Sequence, residues 1–139
     1  MMTIDRSIDI EDVIREALTP FFDVYCRPLP KNFLTPSLLV TQVGGTQRDK
    51  IDTFDVTLDS RAQTDLQASE TLRNAVGALV EIAKSQESKI ASVTVNTSGA
   101  WGSDPVRPDL KMCSARLTVT AHIEQTTLEV MNHAENERG

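Results

Sequence analysis

The spacing of apolar and polar residues changes along the chain, and each change marks an element. Between 10 and 18, Ile10, Val13, Ile14, Ala17 and Leu18 recur at spacings of three and four, on one face of a helix. Asp9 is placed to cap it, and Glu11 and Asp12 lie in the first turn, where the helix dipole favours negative charge. Pro20 disfavours helix at Thr19 and ends the run, leaving Phe21 and Phe22 as expected core residues at the turn. Residues 23–27 read as a short strand, and Pro28, Pro30 and Pro36 break the next stretch into an extended loop at a sheet edge. Residues 37–43 read as a strand ended by Gly44 and Gly45, with the polar stretch 46–50 as a hairpin tip.

The strand after that tip is clear: Phe54, Val56 and Leu58 alternate with Thr53, Asp55, Thr57 and Asp59. One buried face and one wet or partnered face is the antiparallel pattern. Thr64 and Gln67 match a capping box, and Leu72, Ala75, Val76, Leu79 and Ala83 form a one-sided stripe, with Leu66 upstream and Ile82 beside it. Glu70, Arg73, Glu81 and Lys84 occupy the other side, so this helix is expected to lie across a sheet. Residues 90–95 read as a strand, and 96–110, with Gly99, Gly102, Pro105 and Pro108, as a loop. In 112–124, Ala115, Leu117, Val119, Ala121 and Ile123 alternate with Arg116, Thr118, Thr120, His122 and Glu124, the strongest strand signal in the chain. From about Gln125 the pattern dissolves, and 133–139 reads as frayed.

Helices do not separate every strand, which argues against a doubly wound fold. The predicted class is α+β: a mostly antiparallel sheet of about four to five strands, one long helix packed across one face and a shorter N-terminal helix. One domain over 1–125 and a polar, flexible tail over 126–139 are expected, with long loops at 44–50 and 96–110 at the two ends of the sheet. The length of 139 residues suits one domain with a real core. Aromatics make up 4% of the residues, so Val, Ile, Leu and Ala must supply most of that core.

A net charge of -6 argues against general nucleic-acid binding, which needs basic surface to replace phosphate counterions. No apolar run approaches the ~20 residues that span a bilayer. The acidic start lacks a signal pattern, so the expectation is a protein that is not secreted. Cys26 and Cys113 are then expected as reduced thiols, with a disulfide as the alternative.

Candidate chemistry is sparse. Gly44-Gly45 follows a strand without opening a helix, so it reads as turn chemistry and not as a phosphate loop. His122 faces outward on its strand and His133 lies in the tail, and neither has a sequence partner for general-base work. Cys26 and Cys113 read as small buried hydrophobes, since a nucleophilic thiol needs a base and electropositive surroundings. Asp55 and Asp59 share a strand face that reads as solvated, with cation binding as the alternative. No catalytic, cofactor-binding or metal-binding residue is assigned. Two features point to surfaces. Trp101, between glycines, is either a hydrophobic plug or an interface anchor. Gln47-Arg48-Asp49-Lys50 is either a solvated turn or a charged loop that docks into a neighbour. The polar strand face of Thr, Asp, Arg and His is either wet or the wall of an assembly.

The layout carries a resemblance. A helix at 10–18, a strand with a proline-rich step at 24–30 and a strand ending in Gly-Gly at 38–45 come first. A strand at 50–60, a long helix at 64–86, a strand with a Trp-containing loop at 90–104 and a final strand at 112–124 come after them. With Trp101-Gly102-Ser103-Asp104-Pro105 followed by Ala115-Arg116-Leu117-Thr118-Val119-Thr120-Ala121, the chain over about 9–125 resembles the small tail-terminator, or tail-completion, proteins of long-tailed bacteriophages and prophages.

The resemblance implies a non-enzymatic α+β subunit that assembles with itself into a ring, typically a hexamer. Such a ring caps the tail tube, stops its polymerisation and presents the head-joining surface. The implied partners are the major tail tube protein and head–tail connector proteins, with DNA passing through unbound and no membrane involved. The implied location is the head-proximal end of the virion tail, after assembly in the host cytoplasm. By the same analogy Thr46, Gln47, Arg48, Asp49, Lys50, Trp101, Asp104 and Arg107 are expected at subunit or tube contacts. A head–tail adaptor or minor tail protein is the nearest alternative. A small oligomeric ferredoxin-like cytosolic enzyme is the remote one, with Arg48, Lys50, Arg107 and Lys111 as its anion clamp.

Overall fold

The computed structural model describes residues 1–48 and 50–131; Asp49, segment 132–139 and the side chain of Arg48 lie outside the described residues. The expectations for His133 and the frayed end therefore fall outside them. In chain order the elements are β1 (Met2–Arg6), α1 (Ile10–Leu18), β2 (Val24–Cys26), β3 (Ser37–Arg48), β4 (Ile51–Ala62), α2 (Asp65–Ala83), β5 (Ile90–Ser103), β6 (Lys111–His122) and β7 (Glu124–Leu128). The class is α+β, with a five-stranded sheet of order β2-β3-β4-β6-β5 and a separate two-stranded ribbon, β1-β7. Within the larger sheet β2 runs parallel to β3 and every other pairing is antiparallel.

Both helices start at the expected caps. Asp9 accepts the Asp12 N–H at 3.3 Å, and Thr64 accepts the Gln67 N–H at 3.2 Å. Ile10, Ile14 and Leu18 of α1 and Ala68, Leu72, Ala75 and Leu79 of α2 are buried. They share one core with Leu38, Val40, Phe54, Val56, Leu58, Ala115, Leu117, Val119 and Ala121, which alternate along β3, β4 and β6. Burying each such Leu, Ile or Val side chain stabilises the fold by about 1.5–3 kcal/mol. Glu11 fastens α1 to the sheet: its carboxylate accepts Arg27 Nη2 at 2.6 Å and the Gln42 N–H at 3.0 Å.

Several expectations are corrected. Gly44 and Gly45 do not end a strand, because β3 continues through them to Arg48 after a bulge at Val43. Gly45 has φ 150°, and a Cβ there would collide with the Thr53 carbonyl oxygen, so the position needs glycine inside the ladder. Residues 96–103 are strand, not loop. β5 stays paired with β6 to Ser103 through register shifts at Ala91, Asn96 and Gly99. The stretch reads as loop because those extra residues break the alternation. Two apolar residues expected inside, Phe21 and Leu66, are 70% and 66% exposed, while Phe22 packs on the core. The pattern does not dissolve at Gln125: β7 pairs with β1 from Met2↔Leu128 to Arg6↔Glu124, so strand continues past the expected boundary at 125.

Candidate functional site

β4 and β6 pair without a shift from Ile51↔His122 to Ala62↔Lys111, and this spine sets two ends of the sheet about 35 Å apart. The residues singled out from sequence divide between the ends. Thr46, Gln47 and Lys50 lie at the β3–β4 hairpin end; Trp101, Asp104 and Arg107 lie at the other. The four residues of the supposed anion clamp are not brought together, because Lys50 is at the first end and Arg107 and Lys111 are at the second.

At the hairpin end the tip is a clasp and not a free loop. Gln47 Nε2 donates to Ser7 Oγ, and Ser7 Oγ donates to Asp52 Oδ2 at 2.6 Å. Asp52 is buried on the helix side of the sheet, in step with Phe54 and Val56. The Ile123 N–H donates to the Lys50 carbonyl at 3.2 Å. Ser7 follows β1 and Ile123 precedes β7, so these bonds hold the base of the ribbon against the tip. Thr46 and Gln47 remain exposed, and Asp49 and the Arg48 side chain lie outside the described residues.

The ribbon leaves the body from that base. Its registered pairs place Met2, Ile4 and Arg6 beside Leu128, Thr126 and Glu124 on one face, and Thr3 and Asp5 beside Thr127 and Gln125 on the other. The first face is apolar toward its far end, where Met2 is 57% and Leu128 44% exposed. It closes at its near end on an Arg6 Nε–Glu124 Oε1 ion pair of 2.9 Å.

At the opposite end Asp104, expected at an interface, is buried, with its carboxylate bonded within the chain. Arg61 alternates with Ser60 and Ala62, which face α2, so Arg61 points to the other side of the sheet. There its Nε meets Asp104 Oδ2 at 2.6 Å, while Asp104 Oδ1 accepts the N–H groups of Val106 and Arg107 at 2.8 and 2.7 Å. Burial alone would raise the Asp104 carboxyl. The Arg107 N–H, the Arg61 guanidinium and the Val106 N–H outweigh it and hold the group below the ordinary carboxylate value. Arg61 Nη1 is buried with no hydrogen-bond partner among the described residues. Arg107 is likewise engaged, its guanidinium 5.0 Å from the ring centre of Phe33. Phe33 and Leu110 are buried outside the main core, in the proline-rich loop and the loop after β5.

Trp101 is strand, not loop. It sits on β5 opposite Cys113, is 55% exposed, and lines an open hollow with Asp65, Gly102, Ser103 and Lys111. Cys113 is buried and Cys26 half-buried; both are free, and burial raises both thiols, which keeps them protonated and poorly nucleophilic. The polar sheet face is laced by side-chain bonds: Ser92 to Thr120 at 2.5 Å, Asn96 to Thr118 at 2.7 Å and Ser114 to Asp59 at 2.5 Å. Among the described residues no three of His, Cys, Asp and Glu converge to hold a metal ion. Among them, too, no helix is long and apolar enough to cross a membrane.

Sequence reasoning missed Ser7, Asp52, Arg61 and the ribbon. The alternation Met2-Thr3-Ile4-Asp5 was a signal for β1, but it is too short to stand out without its distant partner. The chain matches no protein-family model and none of the curated proteins compared with it.

Proposed function

We propose that this protein is a tail terminator: a subunit that assembles with itself into a ring capping a phage tail tube. The observation that carries the reading is the placement of exposed apolar side chains at opposite edges of one sheet. Phe21 (70% exposed) and Leu34 (58%) stand at the β2 edge, with the Leu34 N–H bonded to the Tyr25 hydroxyl. Val95 (41%) and Trp101 (55%) stand on β5 at the opposite edge. Two different apolar patches on opposite sides suit a head-to-tail contact, which generates a ring when the rotation closes. In this reading α2 lies across one face of the sheet, and the hydrogen-bonded polar face forms a wall of the ring.

The ring stops growth of the major tail tube protein and offers its far surface to head–tail connector proteins. The net charge of -6 keeps DNA from sticking as it passes. Electron microscopy of the purified chain, alone and with tail tubes, tests the reading. Rings, or tubes whose growth stops with this protein at their ends, support it. A chain that stays monomeric and leaves tube growth unchanged overturns it.

A further inference from the structure

The separate ribbon poses a problem that the rest of the fold does not. An isolated pair of strands is marginal in water, and three or more strands or a packed helix are needed for independent stability. Here the pair has five residues a side, and among the described residues no helix or strand of the body packs extensively on it. One of its faces is apolar and exposed at the far end. Both outer edges carry unpaired backbone groups, because the sheet has two strands.

The edges of the larger sheet are blunted. β2 is three residues long and is followed by Pro28 and Pro30, while β5 is broken by three register shifts. Both are devices that discourage pairing with another chain. The ribbon has neither: it contains no proline or glycine, and its register runs unshifted over five pairs. Its two outer edges are therefore open to strand addition.

We infer that the ribbon is an assembly arm, in which the free edge of β1 adds to the free edge of β7 from a second copy of this chain. The inference rests on the ring reading above and adds a second contact between neighbouring copies, beside the one between the β2 and β5 edges. Two observations choose a second copy as the occupant. The first is charge: Arg6 lies opposite Glu124 within the chain, both side chains are accessible, and the same register between copies places Arg6 beside the neighbour's Glu124. That register also sets Met2 and Ile4 beside the neighbour's Leu128 and Thr126, which extends the apolar far end of this face. The second is direction. Rotation about an axis along the ribbon keeps every β7 antiparallel to every β1, so one antiparallel pairing repeats from copy to copy and closes into a ring when the rotation per copy divides a full turn. The clasp of Gln47, Ser7, Asp52 and Lys50 sets the angle at which the arm leaves the body.

Charge exchange in the full-length chain tests this. Arg6→Glu and Glu124→Arg each put like charges together within and between copies, and each raises the concentration at which the chain assembles by about tenfold. An equimolar mixture of the two variants restores opposite charges at every contact between unlike copies. There the acidic position 6 of one variant meets the basic position 124 of the other, and the unchanged Arg6 meets the unchanged Glu124. The mixture therefore assembles at close to the wild-type concentration, although neither variant has its internal pair. Variants that assemble like wild type, or a mixture that assembles no better than its components, overturn the arm and leave the ring reading standing. A wild-type chain that stays monomeric with and without tail tubes overturns both. Hydrogen exchange on the wild type is a second readout that needs no variant. Ribbon amides exchange fast in the dilute subunit and become protected on assembly; unchanged rates overturn the arm.

Discussion

Asp104→Asn is the sharpest test of how the loop at the far end of the sheet is held. The change keeps the shape of the side chain and an oxygen for the Val106 and Arg107 N–H groups, but it removes the charge facing Arg61. With side-chain exposures of 9% for Arg61 and 4% for Asp104, water screens this pair little. Leaving a buried guanidinium uncompensated costs about 3–5 kcal/mol. For a chain of this size that lowers Tm by about 10–20 °C. Arg61→Met costs less, about 1–3 kcal/mol, because Asp104 keeps two backbone donors and the lost guanidinium already carried an unpartnered nitrogen. The double variant costs less than the sum of the two, since each single change strands the other's partner.

Urea unfolding of the four proteins measures the cycle. An Asp104→Asn cost below about 1 kcal/mol, or additive costs, would refute the reasoning. The pH profile adds a check of sign. The folded carboxyl titrates below its unfolded value, so between the two values the unfolded chain binds more protons. The stability it contributes is fully present above the unfolded value of about 4 and is lost as pH falls through the folded one. Asp104→Asn flattens that acid limb, and an unchanged limb would count against the assignment.

Other outcomes turn on single positions. Gly45→Ala forces a side chain against the Thr53 carbonyl at a positive φ and lowers stability by about 1–3 kcal/mol, read as a shifted urea midpoint. Leu72→Ala, at 1% exposure, costs about 2–5 kcal/mol, whereas Leu66→Ala, at 66% exposure, stays within about 0.5 kcal/mol. Equal costs at the two positions, measured by thermal unfolding, would contradict the packing of α2. Trp101→Ala leaves the Tm of the dilute subunit within about 2 °C but weakens ring formation in a sedimentation assay. A lost Tm with intact assembly would make Trp101 a plug and not an anchor.

How legible each element is in the sequence depends on how local its signal is. The caps at Asp9 and Thr64, the stripe of α2 from Leu72 on and the alternation of β4 and β6 are each written within about a dozen residues and stand where expected, except that β6 ends at His122 and Ile123 and Glu124 fall outside it. The errors share a different cause. Glycines in an edge-side ladder look like turns, because one bulge residue resets the alternation without ending the pairing, as at Val43 and again at Asn96 and Gly99. β1 and β7 lie at distant positions in sequence, and neither five-residue stretch is decisive without the other. Asp104 resembled a contact residue because its partner, Arg61, sits on another strand and faces the side opposite α2.

These misreadings bear on function in opposite ways. Recovering the bulges turns a supposed long loop into an edge that resists strand pairing. Burial of Asp104 and the stacking of Arg107 on Phe33 weaken the case for those two residues at the contact surface. Recovering the ribbon adds an open pair of edges at the hairpin end, held by the same Gln47 and Lys50 that the charged tip had suggested. On the proposed arm reading the tip bears on assembly by fixing the arm, through the Gln47 side chain bonded to Ser7 and the Lys50 carbonyl bonded to Ile123, and its charges need not touch a neighbour. Ser7→Ala separates the two roles. It removes the hydroxyl between Gln47 and Asp52 without changing charge, so it weakens assembly if the arm's angle matters and leaves it unchanged if the tip acts through its charges alone.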